Sequence, residues 1–182
     1  MTRRAPAVAA CAAALLLACG ARAETADREK PTQIEANRMS ADDLRRLNIF
    51  EGNVVVTRGT LTIRAERIVV RQDAEGFQFA TATGAPARLR QRQDPKPPDA
   101  EGVWMEGEAL RIEVDDRNGK IEMFEQARVK RGGDEVAGSY IFVDQRSDFF
   151  TVKSDSADKP AGEGRVRAVL QPKALPSDAA RK

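Results

Sequence analysis

Residues 50–70 read FEGNVVVTRGTLTIRAERIVV, and this stretch decides the fold. Within it Leu61, Ile63 and Ala65 fall on one side of an extended chain, and Thr62 and Arg64 on the other. Alternation of period two belongs to a strand with one face covered and one face wet. Two glycine-centred groups, Glu51-Gly52-Asn53 and Arg58-Gly59-Thr60, punctuate the stretch and read as chain reversals.

Working outward, the same texture runs over residues 32–152. In the run 109–114, Leu110, Ile112 and Val114 fall opposite Arg111 and Glu113. Further reversals are expected at Glu75-Gly76, Gly84-Ala85-Pro86, Arg117-Asn118-Gly119 and Arg131-Gly132-Gly133. Asn118-Gly119 is the strongest of them, because both residues tolerate positive φ. A short helix is expected only over 41–47. The segment 91–102, with Pro95, Pro97 and Pro98, is too proline-rich for an interior strand and reads as an exposed excursion. Residues 154–164 read as a mobile stretch, 166–170 as a last strand and 173–182 as a disordered tail. The fold class is therefore all-β, in one domain over 24–172.

The chain also repeats itself. At an offset of 73 residues Val56-Thr57-Arg58-Gly59 matches Val129-Lys130-Arg131-Gly132, and Ile63, Ala65, Ile68 and Val70 match Val136, Gly138, Ile141 and Val143 without a gap. A looser copy links Ile34-Glu35-Ala36 to Met105-Glu106-Gly107. A small residue recurs at one place in the unit (Ala36, Ala65, Gly107, Gly138), which suits a sheet corner where backbone bends or packs closely. Repeated strands of this kind stack into a roll.

The first 23 residues have the order of a secretory leader: Arg3 and Arg4, an apolar run over 5–18, then Ala21-Arg22-Ala23 before Glu24. The run is shorter than the roughly 20 residues that span a bilayer. The leader implies export to the periplasm. Leu16-Leu17-Ala18-Cys19-Gly20 also reads as a lipobox that would anchor the chain at Cys19, although the small-x-small ending at Ala23 favours ordinary cleavage. Both cysteines, Cys11 and Cys19, lie in the leader, so the mature chain has no disulfide to rely on.

Without its leader the chain has 27 basic residues (the 30 of the precursor less Arg3, Arg4 and Arg22) against 28 acidic ones, which argues against a nucleic-acid partner. It has no histidine. The commonest general base, the commonest metal ligands and the thiol nucleophile are thus missing, and no carboxylate pair stands out by spacing. No catalytic residue, metal or cofactor is assigned. There is no phosphate-binding glycine loop with Lys and Ser or Thr, so energy for any transport comes from elsewhere. An enzyme acting on envelope polysaccharide would need two convergent acids and an aromatic platform, for which one Trp and one Tyr provide poorly.

Residues 50–70, together with Gly84-Ala85-Pro86-Ala87 and the run 165–172 (RVRAVLQP), resemble in the same order the landmarks of the LptA or OstA-like family, periplasmic bridge proteins of lipopolysaccharide transport. The resemblance covers nearly all of 31–172. It departs at Glu125-Gln126-Ala127, where the first copy has Gly52-Asn53-Val54, and at the proline-rich loop. It implies an open, slightly twisted β-jellyroll whose members join head to tail and dock on similar jellyrolls of inner- and outer-membrane transport proteins. It also implies a lipopolysaccharide-binding carrier that shields acyl chains in an apolar β groove. A tethered lipoprotein or accessory domain of the outer-membrane assembly machinery, conducting no cargo, is the alternative use of the same module.

The physical requirement is severe: at about 0.8 kcal/mol per methylene, wetting one long acyl chain costs on the order of 10 kcal/mol. The expected lipid-facing residues are Ile34, Met39, Phe50, Val54, Val56, Leu61, Ile63, Leu89, Leu110, Ile112, Val114 and Met123, with Thr32 at one mouth; the resemblance places Thr32, Ile34, Leu89 and Ile112 at the family's lipid-facing positions. They are expected to wall a slot that the protein leaves unfilled. Arg38, Arg64, Arg71 and Arg88 are candidates to meet cargo phosphates. Thr32, Ile34 and Ala36 at the start, and Val166, Ala168 and Leu170 at the end, are expected as unpaired assembly edges.

Overall fold

A computed structural model of the chain describes residues 27, 29–76, 78–94, 102–147, 149–154 and 165–172. The expected leader with Cys19, the prolines of the excursion, nearly all of the mobile stretch and the tail lie outside these residues. The described chain is ten strands in one antiparallel sheet: β1 Gln33–Glu35, β2 Arg38–Asp42, β3 Leu47–Arg58, β4 Leu61–Gln72, β5 Gln78–Arg92, β6 Trp104–Asp115, β7 Lys120–Arg131, β8 Asp134–Asp144, β9 Phe149–Lys153 and β10 Arg167–Val169. Consecutive long strands pair with their neighbours from β3 to β8. The short strands β1 and β2 both lie on β3, and β9 and β10 both lie on β8. Among the described residues no pairing joins the two ends, and the sheet they form is open.

Every long strand from β3 to β7 is interrupted at the same place. The register breaks between Glu51 and Val54, Arg64 and Arg67, Thr83 and Ala87, Glu108 and Arg111, and Phe124 and Ala127. These bulges lie side by side and form a crease that divides the sheet into two leaves. Extra residues in a strand bend it and sharpen its twist. Inner side chains meet across the crease: a Cβ on Gly107 would come within 2.5 Å of the Met123 methyl, which is why this position takes no side chain.

Cross-strand partners share a face, so the register gives two apolar rows running across the strands. In one leaf Met39, Phe50, Ile68, Ala82, Ile112, Met123, Ile141 and Val152 stand side by side. In the other the row is Ile34, Val56, Ile63, Leu89, Gly107, Val129, Val136 and Ala168. Most of both rows belongs to one buried core. Eight strands at about 4.8 Å spacing make each row about 34 Å long.

Several sequence expectations are corrected here. The segment 41–47 is no helix: it ends β2, turns at 43–46, where the Asp42 carboxylate accepts the Arg45 N–H at 3.0 Å, and begins β3. Glu51-Gly52-Asn53 and Gly84-Ala85-Pro86, the latter with a cis Ala85–Pro86 bond, are crease bulges inside β3 and β5 and not reversals. The reversals at 58–60, 75–76, 117–119 and 131–133 are hairpin turns, and glycine takes positive φ in each. Gln91 and Arg92 still belong to β5. Leu110 is corrected as an inner-row residue: it stands at the β6 bulge, half-buried, and Ala109, fully buried, takes the inward place, because the extra residue flips the alternation.

Candidate functional site

The apolar interior is the candidate site. Of the expected lipid-facing residues, Phe50, Val54, Val56, Leu61, Ile63, Leu89, Ile112 and Met123 are buried in one cluster, with Ile34 and Val114 packed against it. Met39 shares the inner side with Phe50 but lies uncovered on β2, 60 % exposed. The expectation of an unfilled slot is overturned in the middle of the roll: Ile68, Ile112, Met123 and Ile141 are each 0 % exposed, filled in by one another. An empty apolar slot forfeits dispersion contacts on both walls, so the leaves close on themselves. Among the described residues an apolar cavity of about 40 Å³, room for a water molecule or two, is lined by Thr32, Ile34, Val56, Leu61, Ile63 and Val114 among others.

Apolar surface is exposed instead at the two ends of the sheet. Met39 marks one end, and Phe149, Phe150, Val169 and Leu170 mark the other, all more than half exposed. The expected assembly edges stand at these ends. Ile34 pairs with Val56 on β3 and Ala168 with Val136 on β8, while Thr32, Ala36, Val166 and Leu170 flank the two short strands.

Opposite the crease, the free margins of the two leaves approach each other along a seam, and polar side chains bridge it. Arg58, at the end of β3, donates from Nη1 and Nη2 to the two carboxylate oxygens of Asp116 in the β6–β7 turn, at 2.6 and 2.7 Å. Both side chains line the apolar cavity. Further along, Gln145 of the β8–β9 turn donates to Gln91 Oε1 at 2.7 Å. Gln91 donates in turn to the buried carboxylate of Asp27, which also accepts the N–H and the hydroxyl of Thr60 at 2.7 and 2.5 Å. Asp27 thereby straps the N-terminal segment to the β3–β4 turn. A carboxylate with three donors is the satisfied form of a buried charge.

These seam residues are invisible to periodicity, because Arg58 and Asp116 lie 58 positions apart and each reads as a turn-flanking charge. The arginines singled out for phosphates fare differently. Arg38, Arg64, Arg71 and Arg88 are all exposed, on the outer face; Arg88 lies 3.6 Å from Glu108, and Arg71 stacks on the Phe79 ring. None of the four lines the apolar cavity.

The outer face of one leaf carries a ring cluster that composition did not foretell. Phe124 and Tyr140 have centroids 5.1 Å apart, and Arg111 covers Phe124 at 3.9 Å. The Tyr140 hydroxyl donates to Glu122 at 2.6 Å; partial burial first, and the Glu122 carboxylate second, push its pKa up to about 12.

An open single-sheet roll, creased along its length and lined inside by aliphatic rows, defines a β-jellyroll. The chain belongs to the family described as LptA/(LptD N-terminal domain) LPS transport protein, whose pattern matches residues 33–149. It is 27 % identical over 149 residues to the lipopolysaccharide export system protein LptH of Pseudomonas aeruginosa, covering 81 % of this chain and 82 % of that one. It is 28 % identical over 158 residues to the lipopolysaccharide export system protein LptA of Escherichia coli K12, covering 84 % and 77 %. The crystal structure of LptH from P. aeruginosa superposes with a TM-score of 0.69 at 24 % identity, over 80 % of this chain and 99 % of that one, which establishes the shared fold.

Proposed function

We propose that the protein is a periplasmic lipopolysaccharide carrier that bridges inner and outer membrane and covers the acyl chains between its two leaves. The observation that carries this reading is the pair of inner rows, which cross all the strands of the sheet and run out at two uncovered ends. A lipid passed along such a path exchanges one aliphatic wall for another, and aliphatic contact is nondirectional, so position along the path matters little. Because the leaves are closed on each other at mid-length, loading means parting them, with hydrocarbon replacing side chain–side chain contact.

The same reading includes removal of residues 1–23, giving a free chain that begins at Glu24. It also includes head-to-tail joining of β1 and β2 of one copy to β9 and β10 of the next. Unpaired strand margins template such pairing, and a heterologous contact that does not close makes chains of concentration-dependent length. Docking on jellyrolls of membrane-bound partners follows from the same margins. The family membership and the lipopolysaccharide export relatives support this use over a tethered accessory role.

The test is crosslinking in living cells from a photoreactive residue at Leu89 or Ile112. Lipopolysaccharide adducts are expected from these inward positions and not from the outward-facing Arg88. Equal yields at inner and outer positions would refute the carrier reading.

A further inference from the structure

The seam offers more than closure. Arg58 and Asp116 sit on opposite leaves, at the rim of the cavity lined by Ile34, Val56 and Val114. Their side chains are 12 % and 21 % exposed, so the pair is dry enough to matter and close enough to solvent to be reached. The Asp116 backbone N–H donates to the Gln78 carbonyl at 3.1 Å, which fixes the carboxylate's side of the pair. The Arg58 Nε–H is buried and has no partner among the described residues. A guanidinium presents a planar fork that fits a carboxylate and a phosphate equally well, in the same two-point geometry. The fork is held by Asp116 while the leaves are closed, and the Nε–H of the same guanidinium is left unused among the described residues.

We propose that the Arg58–Asp116 pair is a seam latch opened by exchange, in which a phosphorylated acyl amphiphile inserts hydrocarbon beside Ile34 and Val114 and its phosphate replaces the Asp116 carboxylate on Arg58. This deepens the carrier reading and rests on it. It assigns the phosphate contact to the one arginine among the described residues that lines the apolar cavity. The exchange keeps Arg58 charge-paired throughout, and the freed Asp116 carboxylate, already 21 % exposed in its turn, passes to solvent, so parting the leaves strands neither charge. The second bridge, Gln145 to Gln91, joins neutral groups and gives way without an ionic penalty. The latch therefore favours cargo that brings its own anion: a fatty acyl chain without a phosphate parts the leaves only by leaving Arg58 unpaired.

The experiment measures binding of the full exported chain to diphosphoryl lipid A and to the same lipid with both phosphates removed. Wild type is expected to prefer the phosphorylated form by roughly tenfold, the range of one charge-assisted two-point contact. Asp116→Asn, which removes the competing anion and leaves Arg58 in place, is expected to tighten binding of the phosphorylated lipid severalfold. Arg58→Gln is expected to bring the preference to about one, and Arg58→Lys, a point charge without a fork, to an intermediate value. Should Arg58→Gln fail to fold, the Asp116→Asn arm decides. Retention of the full preference in Arg58→Gln, or weaker phosphorylated-lipid binding in folded Asp116→Asn, overturns the latch. So does competition by a phosphorylated disaccharide lacking acyl chains, which would assign Arg58 to free phosphates. Failure of wild type to bind either lipid would instead sink the carrier reading itself.

Discussion

The hairpins β3–β4 and β7–β8 are two copies of one unit, 73 residues apart, and they reach the same shape with different residues. Val56 and Ile63 in the first copy stand where Val129 and Val136 stand in the second, and Ile68 where Ile141 stands. At the crease the first copy uses Gly52-Asn53, at φ 79° and 49°, and the second uses Glu125-Gln126, at φ 63° and 55°. Glycine and asparagine accept the left-handed region readily; glutamate and glutamine do so at about 1–2 kcal/mol each. The bend is thus imposed by pairing on both sides, and residue preference at the bulge only changes how much strain it carries. On the outer face the Glu51–Arg67 ion pair of the first copy, at 3.4 Å, is replaced by the Phe124–Tyr140 ring pair of the second.

Five measurements test this equivalence. The largest effect is expected in the shared core: Ile68→Ala and Ile141→Ala, both fully buried, should each cost about 3 kcal/mol in urea unfolding. A difference of more than about 1.5 kcal/mol between them would mean the copies are not packed alike.

Next comes the small residue of the unit. A Cβ on Gly138 would come within 2.5 Å of the Lys153 carbonyl oxygen on β9, so Gly138→Ala should cost about 2 kcal/mol. Ala65→Gly, in the first copy, should cost less than about 1 kcal/mol. Equal losses would show that β9 does not press on β8.

Third, the crease strain is exchangeable. Gln126→Gly should raise stability by about 0.5–1 kcal/mol, and Asn53→Gln should lower it by a similar amount, both read as shifts of the urea midpoint. A stability loss in Gln126→Gly would place the strain elsewhere.

The smallest effects lie on the outer face. Arg67→Ala should cost about 0.3 kcal/mol at low salt and nothing measurable in 1 M salt, since both partners are well exposed. Tyr140 should titrate near pH 12 by absorbance, and Glu122→Gln should lower the midpoint only part of the way, because burial is the larger cause. The folded chain holds this proton more tightly than the unfolded one. The associated stability is therefore complete below pH 10 and is lost as pH rises from 10 to 12.

The strands were legible because period two survives in almost every run, and Arg58-Gly59-Thr60 and Asn118-Gly119 named true hairpins. Gly52-Asn53 and Gly84-Ala85-Pro86 misled because positive φ and proline serve a bulge as well as a turn; what separates the two is whether the partner strand continues. The helix expected at 41–47 followed local propensity in ADDLRRL, which lost to pairing of β2 on β3. Leu110 failed for a related reason, since an extra residue shifts parity and nothing within the run announces it. The inner rows were mostly visible from alternation. The seam bridges were not: Arg58, Asp116, Gln91 and Gln145 are polar residues at strand ends and turns, brought together only when the sheet is creased.

The crease also makes the protein a ruler. Because the inner rows run at right angles to the strands, each added hairpin extends them by two inter-strand steps, about 9.6 Å, without lengthening any strand. Duplicating the 73-residue unit would lengthen the span in fixed increments, as adding rungs lengthens a ladder. The length of the rows is then counted in hairpins, and never needs a longer strand.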